Sequence, residues 1–285
     1  MKCPLGRRRI FHNPLVFCGE RLVSRGLLEF SPHPEDAIFF AIMFRRVVLL
    51  SLLVVTVVHA QEVKQTFKVE PLRPVPELRA DALKAQPPVE QGDFRKPDLV
   101  ELIRVDPTLK LDIHYASTNN FLGTPLYTEA RAFLQRPAAE AVARANRKLH
   151  EQGYGLLIFD GYRPWYVTKI FWDATPPAQH LFVADPAQGS RHNRGCAVDL
   201  TLYDLKSGQP VAMPSSYDEF SDRAHSDYPG GTAEERAHRE LLRTTMEAEG
   251  FTVYPSEWWH FDYKDWRQFP LMNVPFSEIR SSPGE

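Results

Sequence analysis

The chain has 285 residues, 43% hydrophobic and 25% charged, which is the composition of one or two globular domains. Its formal net charge of −2 leaves no electrostatic footprint for nucleic acid or an anionic membrane surface, so neither is expected as a partner.

Residues 1–42 mix Arg, Pro and scattered apolar side chains without a sustained period, and are expected to be an upstream extension foreign to the native protein. The character changes at Met43. Met43-Phe44-Arg45-Arg46 is a short basic start, and Val47 to Val58 is an apolar run broken only by Ser51 and Thr56. Val58-His59-Ala60 then places small residues at the −3 and −1 positions of a cut before Gln61. This is the three-part layout of a secretory signal peptide over 43–60. The run is shorter than the roughly 20 residues that span a bilayer, so no stable membrane insertion is expected after cleavage. A periplasmic or secreted product follows. Cys3 and Cys18 precede the cut, so the mature chain would carry only Cys196 and no intrachain disulfide.

Residues 61–97 hold Pro71, Pro74, Pro76, Pro87, Pro88 and Pro97, and are expected to form an extended arm, because proline lacks the N–H that ladders need. Whether the arm is a tether or a strap across the following domain is open at this level.

A folded domain is expected over 98–276, ahead of a short tail at 277–285. Leu99 to Ile103 and Leu109 to Tyr115 have strand-like spacing. Pro137 opens a helix that Gly153 closes, with Ala141, Val142, Ala145 and Leu149 on one face. Tyr154 to Phe159 reads as a buried strand, Pro164 to Trp172 as a short helix, and Cys196 to Tyr203 as a strand. Thr232-Ala233-Glu234-Glu235 is a capping box for a helix ending at Gly250. Phe251 to Tyr254 and Trp259 to Tyr263 have strand composition. Without a βαβ rhythm, the expected class is α+β: one domain with a central antiparallel sheet flanked by helices.

The chemistry concentrates in two stretches, Ser190-Arg191-His192-Asn193-Arg194-Gly195-Cys196-Ala197-Val198-Asp199 and Glu257-Trp258-Trp259-His260. A lone His or Asp says little. Asp199, however, sits inside the apolar run Ala197-Val198-Asp199-Leu200, where a carboxylate is costly to bury unless it is paired or metal-bound. Gly195 permits a tight turn that folds His192 back toward Asp199. Two imidazoles and a carboxylate suit Zn²⁺, and three protein ligands leave a position for water, as catalytic zinc sites do. Glu257 is placed to be the base for that water. Glu257 and His260 are three apart and would point to opposite faces of a regular strand, so Pro255 and Ser256 are expected to delay the strand until after Glu257. Cys196 is expected on the other face as a small apolar residue.

The patterns Ser190-x-His192-x-x-Gly195-x-Ala197-x-Asp199 and Glu257-x-Trp259-His260 resemble those of D-alanyl-D-alanine dipeptidases of the VanX type, zinc peptidases allied to D-Ala-D-Ala carboxypeptidases. Asp112 to Gly123 and Asp160-Gly161-Tyr162-Arg163-Pro164 extend the likeness, which covers roughly Asp98 to Tyr263. The resemblance implies one Zn²⁺ per chain held by His192, Asp199 and His260, with Glu257 as base and proton shuttle. It also implies Arg163 as the cation at the reacting carbonyl. Asp218 is implied near the amino end of a small D-dipeptide, although Pro214 and Tyr217 depart from the pattern around it. For Ser190, contact with substrate and a loop cap stand as equal readings. The implied activity is hydrolysis of D-alanyl-D-alanine in cell-wall peptide turnover. The alternatives are a carboxypeptidase or endopeptidase acting on peptidoglycan stem peptides, and a zinc-binding wall protein without catalysis. The oligomeric state is not encoded in any motif.

Overall fold

The computed structural model describes residues 67–279. The expected upstream extension and signal peptide, and the tail beyond 279, lie outside the described residues. Residues 67–97 depart from an extended arm: Val75–Lys84 form a helix, α1. Pro74 and Pro76 flank its first helical residue, where a missing N–H costs no hydrogen bond, and Glu77 and Lys84 complement the helix dipole at either end. Val75, Leu78 and Ala82 form its buried face.

Strand β1 (Leu99–Glu101) runs straight into a single helical turn, α2 (Leu102–Val105), so the first expected strand is cut short. Strand β2 is only Lys110–Leu111, and His114–Ala116 turn as a 3-10 segment where extended chain was expected. Strand β3 (Phe133–Gln135) leads into helix α3 (Arg136–His150), which has Pro137 in its first turn. Ala138, Ala141, Val142, Ala145 and Leu149 are fully buried, so a face of mostly small side chains lies close on the sheet. Strand β4 (Tyr154–Asp160) and helix α4 (Trp165–Ala174) follow, and α1 packs against α4. A 3-10 turn at His192–Arg194 precedes strand β5 (Ala197–Asp204). The Thr232–Glu235 capping box opens helix α5 (Ala233–Ala248), with both reciprocal bonds formed. Strands β6 (Phe251–Tyr254) and β7 (Glu257–Tyr263) complete the fold.

β1 and β3 form a small antiparallel ribbon. The main sheet has the order β2-β4-β5-β7-β6. It is mixed rather than antiparallel throughout, because β2 and β4 run parallel. The chain passes between them through α3, and a helical crossover is the connection that parallel neighbours require. The α+β class stands, with helices flanking the sheets. Beyond β7, Phe276 is buried in the core and Ile279 packs against it. Among the described residues, no helix is long and apolar enough to cross a membrane.

Candidate metal centre

The ends of three neighbouring strands build the site. β4 ends at Asp160, which pairs across the sheet with Asp199 of β5, and Asp199 pairs with His260 of β7. Asp199 and His260 are therefore directly opposite one another on one face. His192 arrives from the 3-10 turn ahead of β5. That turn closes on Gly195 in the left-handed region, with φ 66°, as expected. A Cβ at Gly195 would also lie 2.6 Å from Leu99 Cδ2, so no other residue fits this corner without displacement.

His192 Nε2, His260 Nδ1 and Asp199 Oδ1 form a nearly equilateral triangle. The sides are 3.1 Å between the histidines, 3.3 Å from His192 to Asp199 and 3.1 Å from His260 to Asp199. All three residues are buried. Nitrogen ligands at about 2.0–2.1 Å from a tetrahedral zinc ion lie about 3.3 Å from each other, so the triangle has the right edge. The outer nitrogens fix the tautomers. His192 Nδ1 lies 2.7 Å from the Gly161 carbonyl, and His260 Nε2 lies 2.9 Å from Asp262 Oδ1. Each outer N–H donates outward, so in the neutral rings both inner nitrogens present lone pairs. Asp199 Oδ1 accepts no well-formed hydrogen bond among the described residues, while its Oδ2 accepts from Tyr217 Oη at 3.0 Å. With both rings neutral, three acceptors converge on one point, an arrangement that suits a cation.

The electrostatics agree. Burial alone would lower the His260 pKa, but Asp262 and Asp199 outweigh it and raise it well above the ordinary value. Burial alone would raise that of Asp199, yet the two imidazoles hold it below the usual carboxylate range. Positive charge is wanted at this point, and a proton on His260 is the poorer substitute for a metal ion.

Glu257 is the first residue of β7 rather than lying ahead of it, and its Oε2 is 3.6 Å from His260 Nδ1. The register between β6 and β7 shifts between Val253 and Tyr254, beside the Pro255-Ser256 turn. This irregularity breaks the alternation of faces and lets both side chains reach one centre. Burial pushes the Glu257 carboxyl up to about 7, with His260 opposing. Arg163 is buried. Its Nε and Nη2 donate to Asp160 Oδ2 at 3.0 and 2.8 Å, its Nη2 is 3.8 Å from Asp199 Oδ2, and its guanidinium lies over the Phe171 ring at 4.7 Å. Asp160 Oδ1 in turn accepts from Tyr127 Oη and Gly161 N–H.

Asp218 is buried and is the one non-glycine described with positive φ, at 57°. Its Oδ1 accepts from Tyr115 Oη at 3.0 Å, and its Oδ2 has no partner among the described residues. Burial, with Asp199 nearby, raises its pKa well above the ordinary value. Ser190 lines the same cleft, and its Oγ accepts the His192 N–H at 3.2 Å, a bond within the turn that carries His192. Cys196 is fully buried outside the ligand cluster, and burial pushes its thiol up to about 12. The cleft that unites Arg163, Asp199, Asp218, Glu257 and His260 has a volume of about 430 Å³.

Four supporting residues escaped the sequence reading: Asp160, Asp262, Tyr217 and Tyr115. Asp262 had a signal, since it lies two residues after His260 on a strand and therefore on the same face. Asp160 lay within a quoted motif without a role. Tyr115 likewise lay within the quoted Asp112–Gly123 stretch, and Tyr217 was noted only as a departure from the pattern around Asp218; the contacts of both depend on long-range folding.

Comparison with known proteins places the chain in a family. The family model for D-Ala-D-Ala dipeptidases matches residues 95–282. The D-alanyl-D-alanine dipeptidase of Escherichia coli strain K12 is 35% identical over 180 residues, covering 63% of this chain and 92% of that protein. That of Enterococcus faecium is 35% identical over 175 residues, covering 55% and 87%. That of Streptomyces coelicolor is 34% identical over 192 residues, covering 61% and 93%. The match extends over more than half of the chain and carries every ligand of the buried triangle, so the protein belongs to the D-Ala-D-Ala dipeptidase family.

Proposed function

We propose that this protein is a zinc-dependent dipeptidase that hydrolyses D-alanyl-D-alanine to two D-alanines, with one ion held by His192, Asp199 and His260. The observation that carries the reading is the triangle of His192 Nε2, His260 Nδ1 and Asp199 Oδ1, the last without a well-formed hydrogen bond among the described residues. When bound, zinc supplies Lewis acidity toward the scissile carbonyl and lowers the pKa of water.

The chain's own residues do the rest. Glu257 takes the proton of the attacking water as the water oxygen bonds to the carbonyl carbon. It gives that proton to the amine nitrogen as the C–N bond breaks. A carboxyl near neutrality in the metal-free protein is suited to both directions of transfer. Arg163, held by Asp160, keeps a fixed positive charge where the carbonyl oxygen turns anionic, and needs no reorganisation at that moment. Asp218 Oδ2, without a hydrogen-bond partner among the described residues, offers the substrate ammonium a buried carboxyl oxygen, whose raised pKa the ammonium charge would lower, and this favours a free dipeptide over a longer stem peptide.

The test is turnover by the zinc-loaded protein of D-Ala-D-Ala, N-acetyl-D-Ala-D-Ala and a pentapeptide stem. Hydrolysis of the first alone is expected. Preference for the blocked or longer peptides would move the assignment to a carboxypeptidase or endopeptidase. We infer export from the leader pattern at 43–60, with action on D-Ala-D-Ala released outside the cytoplasm by wall turnover. N-terminal sequencing of the exported protein should find Gln61 first; a start well upstream removes this inference.

A further inference from the structure

The segment ahead of the family domain is the part of the chain that the reaction leaves unexplained. It lies before the matched residues 95–282. Yet the described portion is laced to the walls of the cleft. Lys68 Nζ donates to the Thr118 and Asn120 carbonyls, both at 2.8 Å, just ahead of Phe121 in the cleft wall. Helix α1 packs against α4, which contributes Phe171 to the same wall.

Glu90 attaches the segment to the turn that carries His192. Its Oε1 accepts from Arg194 Nη2 at 2.5 Å and its Oε2 from Leu271 N–H at 2.6 Å, so both oxygens are engaged. Arg194 is the last residue of the turn that carries His192 and is only 8% exposed. Its Nη1 donates to the Phe269 carbonyl at 2.6 Å. One residue earlier, the Asn193 carbonyl accepts from Met272 N–H at 2.9 Å. The ligand turn and the segment 269–272 are thus stitched together, and the Glu90 carboxylate closes the ring from outside the family domain.

We propose that Glu90 is a positioning residue for the metal centre, acting through Arg194 on the turn that presents His192. The reason is electrostatic. Glu90 is the one carboxylate paired with Arg194 among the described residues. Removing it leaves a buried guanidinium with no carboxylate partner among the described residues, held by the Phe269 carbonyl and stacked near the Trp266 ring. A buried cation without its counter-charge moves toward water, and Arg194 cannot move without pulling on the turn two residues from His192. Metal ligands tolerate little displacement, and loss of a supporting contact outside the ligand set typically weakens metal binding by about 10–100-fold.

The proposal rests on the metal reading above, and the experiment separates the two. Zinc affinity is measured by chelator competition on the exported full-length protein and on Glu90→Gln. Hydrogen exchange of the wild type is followed with and without zinc. The expected result is a zinc Kd raised about tenfold in Glu90→Gln. By reciprocity, zinc must also slow exchange at the amides of residues 89–91 in the wild type, because a strap that favours the metal is favoured by it. Wild-type zinc binding with an unchanged Kd in Glu90→Gln overturns the role of Glu90 and leaves the metal reading standing. If Glu90→Gln fails to fold, exchange at the amides of 89–91 that ignores zinc overturns it instead. A wild type that binds no zinc removes both.

Discussion

Asp160 and Asp199 are cross-strand partners at the end of the main sheet, and both carboxylates lie within 3.8 Å of one guanidinium, that of Arg163. They divide the work: Asp199 Oδ1 turns to the ligand triangle, while Asp160 Oδ2 takes two N–H groups of Arg163. Asp160→Asn keeps the acceptor for Tyr127 and Gly161 but sets an amide against the guanidinium. A misdirected Arg163 should lower kcat by about 10²-fold, the scale of a lost oxyanion donor, with KM and metal content little changed. Steady-state kinetics with metal analysis checks this; a kcat near wild type would mean that Arg163 needs no such support.

Asp262 orients His260 through a 2.9 Å contact with Nε2. Asp262→Asn lets the ring choose either tautomer, and the zinc Kd should rise about 10–100-fold. Chelator competition measures it. Activity at saturating zinc should return to most of its wild-type level.

Glu257→Gln preserves shape and removes the base. It should bind zinc as the wild type does and lose about 10²–10⁴-fold in kcat. Turnover within a few-fold of wild type would assign the proton transfer elsewhere.

Zinc at about 100 times its Kd should stabilise the folded chain by about 2.7 kcal/mol, an increase of about 5–10 °C in the unfolding midpoint of a domain this size. Thermal denaturation with and without a chelator reads the difference. In His192→Ala the shift should vanish.

Glu101 is buried against Arg131, with paired contacts of 2.9 Å, and its pKa is lowered by those bonds against the cost of burial. A depressed folded-state value stabilises the fold above the unfolded value near 4.5, and that stability is lost as pH falls through the folded value. Glu101→Gln should therefore cost stability at neutral pH. Its deficit relative to wild type should shrink below about pH 4.5, as denaturant titrations at several pH values would show.

What the sequence marked, it marked through local anomalies; His192 and His260 stood out only in combination with the family resemblance. Asp199 is a charge inside an apolar strand, Gly195 marks a tight corner, and the Thr232–Glu235 box fixes a helix start by chemistry that spans only four residues. The mixed sheet was not legible, since β2 has two residues and its direction is set by the crossover through α3. Helix α1 was hidden behind its prolines, which read as breakers although Pro74 and Pro76 occupy the one end of a helix that accepts them. Tyr115 and Tyr217 reach Asp218 and Asp199 across the folded domain, and no spacing rule anticipates such a pair.

The pairing of Asp199 with His260 has a consequence for assembly of the protein. Side chains alternate between faces along a strand, so a single-residue slip of β7 against β5 would carry one ligand to the far side of the sheet. Only the correctly aligned pair can share an ion. An ion bound there would then favour the correctly aligned sheet, and chains that close it one step out of place would bind none.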